Sequence, residues 1–231
     1  MALRPIFYDT ETTGLFSEND RIIEIAALDL YNNRSFEKLI NPERPIPQEA
    51  SSIHHITDEM VKNAPVFADV GQEFLEFCQK DCVLIAHNND AFDLPFLKAE
   101  FKRSGLVEPK WPTLDSLKWA RKYRPDLPRH SLQYLREIYQ IPENQAHRAL
   151  NDVLILKEVF LRLIDDLSIE QAIELLKNDK QECRMPFGKH QGKLLKEVPK
   201  GYLTWLIENG VLAKPENSRL KEELVKLGLV N

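Results

Sequence analysis

The chain lacks any run of about eighteen apolar residues, the length a membrane-crossing helix needs, and this excludes a helical membrane protein. Its opening residues, MALRPIFYDTE, contain no apolar stretch long enough for a secretory signal, so a cytoplasmic protein is expected. Cysteine is scarce. Cys78, Cys82 and Cys183 are odd in number and lack paired metal spacing, which argues against a disulfide scaffold or a zinc knuckle and for reduced thiols. An excess of positive charge is also missing. The net charge is −5, unlike a protein that holds nucleic acid passively through its cations. There is no internal repeat and no low-complexity tract. The one stretch that invites comparison with a Walker phosphate loop, GKHQGKL at 188–194, fails it. Its glycines are one residue too close, and Leu194 stands where a metal-binding Ser or Thr belongs.

What is present suits a soluble α/β core. Of 231 residues 43% are hydrophobic, enough for one good-sized domain with a small appendage. The charge is uneven: residues 181–231 carry nine Lys/Arg and six Asp/Glu, a net +3, which leaves −8 on residues 1–180. RPIFYDTE, RIIEIAALDLY and RSFEKLIN are predicted strands, with Asn32-Asn33 turning between the last two. The three-proline segment NPERPIPQEASSIHH is predicted to be a loop. DEMVKNA, capped by Thr57 or Asp58, and ADVGQEFLEFCQK are predicted helices. CVLIAH is a short buried strand. DLPFLKAEFKRSG is a helix with Pro95 in its first turn and Gly105 past its end. PTLDSLKWARKY is a strand running into a helix. SLQYLREIY, with Ser131 at its N-cap, and the amphipathic HRALNDVLILKEVFLRLIDDL follow as helices, and then a short helix, SIEQAIELLKN. The order predicts a mixed five-stranded sheet, three strands antiparallel and two parallel through helical crossovers. A boundary is placed near 180, giving a core at 1–180 and a basic α+β module at 181–231.

Three stretches carry chemistry. In FYDTETTGL, Asp9 and Glu11 are one residue apart on a strand and so share a face, with Cα atoms about 6–7 Å apart. Such a pair repels itself unless a cation lies between, and magnesium prefers hard oxygen ligands. Gly14 lets the chain turn and approach a ligand closely. The plainer alternative is a strand end with solvated acids. AHNNDAFDLPFL follows the buried fourth strand, where α/β sheets place ligands, and delivers Asp93 to a helix start, a position that also suits an ordinary helix-dipole acid. AHRALND sets His147 five residues before Asp152, which falls among apolar neighbours. Alone, His147 reads as a structural or surface histidine. Together the four acids match the charge of two Mg²⁺ ions in two-metal phosphoryl transfer, beside a histidine able to accept a proton near neutrality.

DTETTG, HNNDAFD and HRALND, in this order, resemble the three exonuclease motifs of the DEDDh 3′→5′ exonucleases, relatives of the proofreading subunit of the bacterial replicative polymerase. The likeness spans residue 6 to about 165. It implies an RNase H-like fold, two divalent ions on Asp9, Glu11, Asp93 and Asp152, with Mn²⁺ able to replace Mg²⁺, and His147 as general base. It also implies that Glu11 hydrogen-bonds the terminal 3′-hydroxyl, and that Thr12, Gly14 and Leu15 contact the last nucleotide. SIHHITDEMV adds Ile53 and His54 to that contact, although the more usual pattern has Gly where His55 stands. Asn88 and Phe92 match polar and aromatic positions of the second motif. For Leu15, Ile53 and Phe92 ordinary packing is the alternative.

The tail, MPFGKHQGKLLKEVPKGYLTWLIENG, is similar to the small C-terminal module of exodeoxyribonuclease X-like proteins. Its glycine-rich stretch is expected to form a hairpin turn. YLTWLIENG is expected to form a short helix with Tyr202, Trp205 and Leu206 on one side. Lys189, Lys193, Lys196 and Lys200 would touch nucleic acid or form a solvated face. The resemblance implies an enzyme that trims DNA with a free 3′ end, single-stranded or frayed, to nucleoside 5′-monophosphates, with a polymerase or a second copy as a further partner. The rivals are an RNA-trimming exoribonuclease and a catalytically idle module that binds nucleic acid or a polymerase.

Overall fold

The computed structural model describes residues 3–79, 81–142, 148–177, 184–214 and 217–230. The chain divides into two compact units, Met1–Leu176 and Lys177–Asn231.

The first unit is built on a five-stranded sheet of order β3-β2-β1-β4-β5. Its strands are β1 (Arg4–Thr12), β2 (Ile22–Asp29), β3 (Arg34–Leu39), β4 (Cys82–Ala86) and β5 (Thr113–Asp115). The first three pair antiparallel, whereas β4 runs parallel to β1 and β5 parallel to β4. Connections through α1 (Gln48–His54), α2 (Asp58–Val61) and α3 (Phe67–Cys78) lead into β4. Then α4 (Asp93–Arg103) leads into β5, and α5 (Ser116–Tyr123), α6 (Leu132–Ile138), α7 (Ala149–Ile164) and α8 (Ile169–Lys177) complete the unit. This is the mixed, helix-flanked sheet that the element order predicts, and it matches the RNase H-like fold that the resemblance implies.

All eight residues of β2 are buried, because both faces of the sheet are covered. Alternation along β1 sends Ile6 and Tyr8 toward Phe74, Phe96 and Phe101 of α3 and α4. It sends Phe7 toward Val153, Leu156 and Phe160 of α7. The ends of β1 and β4 therefore open between α4 on one face and α7 on the other.

One segment departs from expectation. The stretch predicted as a proline loop holds α1. Its prolines all precede residue 48, Pro47 occupies the N-cap position with φ −58°, and Glu49 lies in the first turn. The proline ring pre-sets the helix entry rather than preventing it. The helix ends at His55, which takes the left-handed conformation, φ 60°, that favours glycine. Ser131 does occupy the N-cap position of α6, but its side chain makes no capping bond.

The second unit has its own core, formed by Met185, Leu195, Val198, Leu203, Leu206, Leu212, Leu220 and Leu224. Its helices are α9 (Lys200–Glu208) and α10 (Ser218–Lys226). Among the described residues its β structure is a single bridge, Arg184 to Leu194, closing the turn in which the chain sets Lys189 and Lys193 in solvent. In α9 the buried side chains are Leu203 and Leu206. Trp205, expected on one side with Tyr202 and Leu206, is half exposed and stacks on Tyr202 with ring centroids 5.8 Å apart.

Cys78 and Cys82 are buried free thiols, and Cys183 lies outside the described residues. Among the described residues no helix is long and apolar enough to cross a membrane.

Candidate active site

Alternation decides where each acid of β1 points. Phe7 meets α7, its ring 6.0 Å from that of Phe160. Asp9 and Glu11 continue this face, and α7 brings Asp152 to it. Asp9, Glu11 and Asp152 each offer a carboxylate oxygen within 4.8 Å of the others. Thr10 takes the opposite face. Its backbone N–H and hydroxyl both donate to Oδ1 of Asp93, at 3.1 and 2.9 Å. Asp93, buried at the start of α4, is thus bound to β1 between the two acids, outside the group of three.

The charges oppose one another. Burial, then the charges of Asp93, Glu11, Asp152 and Glu24, hold the Asp9 carboxyl well above the usual range. Burial, then Asp152, Glu24 and Asp93, push Glu11 up to about 8, with Arg148 pulling it down. Asp93 is pushed up to about 7 by burial, against its bonds from Thr10. Carboxylates in this state are relieved by a cation among them, and an all-oxygen donor set suits a hard divalent ion. The residues present fit such a metal.

Two neighbours carried no signal in the motifs. Glu24, fully buried, lies opposite Glu11 across the β1–β2 pair. Its carboxylate accepts from the Arg148 guanidinium at 2.8 Å and from the Ala149 backbone N–H at 3.0 Å. That lock fixes the first turn of α7, three residues before Asp152. The second neighbour is Gln133 of α6, whose side-chain amide donates to Oδ1 of Asp152 at 3.1 Å. A lone acid within IIEIAAL marks Glu24 as unusual, but nothing in Gln133's surroundings in the sequence marks it. His147, the expected general base, lies outside the described residues. The next residue, Arg148, is the one Glu24 holds.

The turn after β1 corrects the reason given for Gly14. Its φ is not positive. Instead, a Cβ at this position would come within 2.6 Å of Cγ of Asp20. The Asp20 carboxylate sits there because it accepts from the Phe16 N–H at 3.0 Å and the Thr13 hydroxyl at 3.3 Å. Crowding by this carboxylate, rather than a positive φ, is what favours glycine here. The turn presents Leu15, 75% exposed, and Phe16, 66% exposed. The Thr12 hydroxyl is engaged by Gly14 O at 2.6 Å.

Other expected contacts are more dispersed. Ile53 is 57% exposed at the end of α1. His54 is buried, its Nδ1 accepting from the Ile56 N–H at 3.0 Å. Asn88, at φ 70°, donates its backbone N–H to Asp115 at 3.1 Å. Phe92 packs its ring 5.0 Å from Phe96.

A family model described as Exonuclease matches residues 6–160. The chain belongs to the exonuclease family. A second model, described as "Putative quorum-sensing-regulated virulence factor", matches residues 173–218. The DNA polymerase III subunit epsilon of Treponema pallidum (strain Nichols) is 39% identical over 162 residues, covering 68% of this chain and 74% of that protein. The DNA polymerase III PolC-type of Caldanaerobacter subterraneus subsp. tengcongensis is 36% identical over 165 residues, covering 70% of this chain and 12% of that protein. The chain spans between 12% and 24% of the length of several such curated relatives. Among solved structures, Exonuclease X in complex with 5′ overhanging duplex DNA is 26% identical, with a TM-score of 0.58, covering 74% of this chain and 98% of that one. Exonuclease I, at 20% identity, shares the fold with a TM-score of 0.64, over 76% of this chain and 43% of that one. Residues 6–160 of this exonuclease-family chain are thus an exonuclease domain of the 3′→5′ class.

Proposed function

We propose that the protein is a metal-dependent exonuclease that hydrolyses DNA from a free 3′ end, single-stranded or frayed, and releases nucleoside 5′-monophosphates. The observation that carries this reading is the group of Asp9, Glu11 and Asp152 oxygens within 4.8 Å of one another. Asp93, bound through Thr10, adds a fourth acid. Four carboxylates balance two Mg²⁺ ions, and Mn²⁺ meets the same oxygen donors. When bound, the ions supply stabilisation of negative charge on the phosphoryl oxygens.

The chain's own residues do the remaining work. Glu11 accepts the hydrogen bond of the terminal 3′-hydroxyl. Leu15 and Ile53 offer exposed apolar surface to the last base, and Thr12, Gly14, His54, Asn88 and Phe92 complete the contact. His147 takes the proton of the attacking water, a role suited to a group that titrates near neutrality. The Glu24–Arg148 lock holds the first turn of α7, which carries Asp152. The 1–180 domain performs the chemistry, and the 181–231 module adds contacts to the strand. DNA as substrate draws support from Exonuclease X, whose structure holds 5′ overhanging duplex DNA. Association with a polymerase draws support from relatives named as DNA polymerase III.

The test compares matched 5′-labelled DNA and RNA strands and a closed single-stranded DNA circle, each with Mg²⁺, Mn²⁺ or EDTA. Stepwise shortening of the DNA from its 3′ end, absent in EDTA and in Asp9→Ala protein, is expected, with the circle intact. Faster loss of the RNA would make the protein an exoribonuclease. Cleavage of the circle would make it an endonuclease.

A further inference from the structure

Residues 118–136 carry a crowd of basic side chains, and most of them are occupied. Lys118 pairs with Asp90, and Arg124 with Asp126 at 2.9 Å. Lys122 donates to Leu175 O at 2.9 Å. Arg136 donates to Gln133 Oε1 at 2.9 Å, and the His130 ring to Arg124 O at 2.8 Å. Arg121 and Arg129 differ. Both are exposed, and among the described residues neither pairs with an acid.

These two arginines line one open cleft of about 440 Å³, together with His87, Asn88, His130 and Ser131. The walls are fixed in advance. His87 Nε2 donates to His130 O at 2.8 Å, and its Nδ1 lies 2.8 Å from the Ser116 hydroxyl. Asn88 is held by Asp115 at 3.1 Å. The cleft also adjoins the carboxylates. Leu132 lines it, and the next residue, Gln133, bonds Asp152. On its other side the His87–Asn88 turn leads into Asp93.

Two guanidinium groups with no acid partner among the described residues share one cleft, on a core with a net charge of −8, and together they suit an anion from outside the chain. Arg suits phosphate because its planar fork can donate two parallel bonds. We propose that Arg121 and Arg129 bind a backbone phosphate of the nucleic acid, some nucleotides away from the bond being cut. This assignment rests on the exonuclease reading for the path of the strand. The phosphate could belong to the cleaved strand or to its complement, since both carry the same chemistry.

The experiment uses the full chain as wild type, Arg121→Gln, Arg129→Gln and the double variant. The control is Arg162→Gln, ten residues and roughly 15 Å along α7 from Asp152. Binding of a fluorescent single strand, and of a duplex with a recessed 3′ end, is measured in EDTA across a salt series. Hydrolysis of a dinucleotide and of the long strands is measured with Mg²⁺. Each variant should weaken long-strand binding about tenfold and lower the salt slope by about 0.7 per lost contact on single strands or 0.9 on duplex. Dinucleotide turnover should be unchanged. A loss on both substrates places the phosphate on the cleaved strand, and a loss on duplex alone places it on the complement. Binding and salt slopes equal to those of Arg162→Gln would overturn the proposal. A wild type that binds through these arginines but hydrolyses nothing would overturn the exonuclease reading instead.

Discussion

At its start β1 passes a buried acid, Asp29 of β2, and at its end it supplies two acids of its own. Asp29 is fully buried, yet every polar need is met. The Arg4 guanidinium donates to Oδ2 at 2.6 Å, and the backbone N–H groups of Tyr31 and Asn32 donate to Oδ1 at 3.1 Å each. Although burial works against it, bonds from Asn32 and Arg4 hold this carboxyl below the usual range. At the other end Asp9 and Glu11 face Asp152, Asp93 and Glu24, and both carboxyls are driven up. A buried acid that the fold supplies with cations and N–H donors is a fastener. A group of acids the fold leaves in mutual repulsion needs something from solution, and the strand pays for it in native-state strain.

The sharpest way to break this contrast is to remove one acid at each end. Asp9→Ala should lower turnover by about 10³-fold or more, since metal-assisted charge stabilisation is worth several kcal/mol and each 1.36 kcal/mol is tenfold. Its melting temperature without metal should hold or rise. Asp29→Ala strands Arg4 and should cost about 3 kcal/mol, roughly 6–12 °C in melting temperature for a chain of this size. Its folded fraction should keep wild-type turnover per molecule. Melting curves in EDTA and active-site-normalised rates measure both. Substantial activity in Asp9→Ala would remove that residue from the site.

His147→Ala tests the chemistry at the same end. General-base catalysis contributes about 10²–10⁴-fold, so turnover should fall within that range while strand binding in EDTA is kept. Wild-type turnover should drop as pH falls through the histidine's titration, because only neutral imidazole accepts a proton. The variant should lack that limb. An unchanged profile would move the base elsewhere.

The two ends should also respond oppositely to pH. Glu11, near 8, and Asp93, near 7, keep protons in the folded protein that an unfolded carboxyl loses at about 4. Their contribution to stability is therefore complete below about pH 4 and is lost as pH rises through 7 and 8. Asp29 behaves the other way: its stabilisation holds above the unfolded value and fades as pH falls through its lower folded value. In EDTA the melting temperature should fall between about pH 5.5 and 8.5, and Asp9→Asn should flatten that fall. Added Mn²⁺ should raise it more at the higher pH, where fewer protons compete for the oxygens. A flat wild-type curve in EDTA would mean the acids are not in mutual repulsion.

How much of this was legible in the sequence depends on how local each feature is. The strands were readable from apolar runs bounded by turn residues, and the shared face of Asp9 and Glu11 follows from strand period alone. Asp152 could be suspected only as an acid among apolar neighbours. That it meets Asp9 depends on Phe7 packing against Phe160, a contact between distant parts of the chain. Glu24 was not singled out, because the partners that give it a role, Arg148 and Ala149, are more than a hundred residues away. Helix α1 was masked by prolines that end just before it. Gly14 was recognisable as special, but its crowding by Asp20 was not, since that side chain folds back across the turn.

The smallest expected effect asks whether chemistry is confined to the Asp9 end of β1. The second unit has a separate leucine-rich core and sets Lys189, Lys193, Lys196 and Lys200 in solvent. All five proposed catalytic residues precede residue 153. A truncation ending at residue 180 keeps α8, whose Ala172 and Ile173 pack into the core of the first unit. It should hydrolyse a dinucleotide at the wild-type rate, because the one phosphodiester of so short a substrate is the bond being cut, and no further phosphate remains for the lysines. On a long single strand the apparent KM should rise a few-fold. The dependence of binding on salt should flatten by about 0.7 for each lysine–phosphate contact removed. KM measured against salt for both proteins on both substrates decides the matter. Equal salt slopes on the long strand would leave the four lysines as a solvated face. A folded truncation that fails on the dinucleotide would show that the second unit completes the active site, and the buried acids of β1 would then be only part of the catalytic machinery.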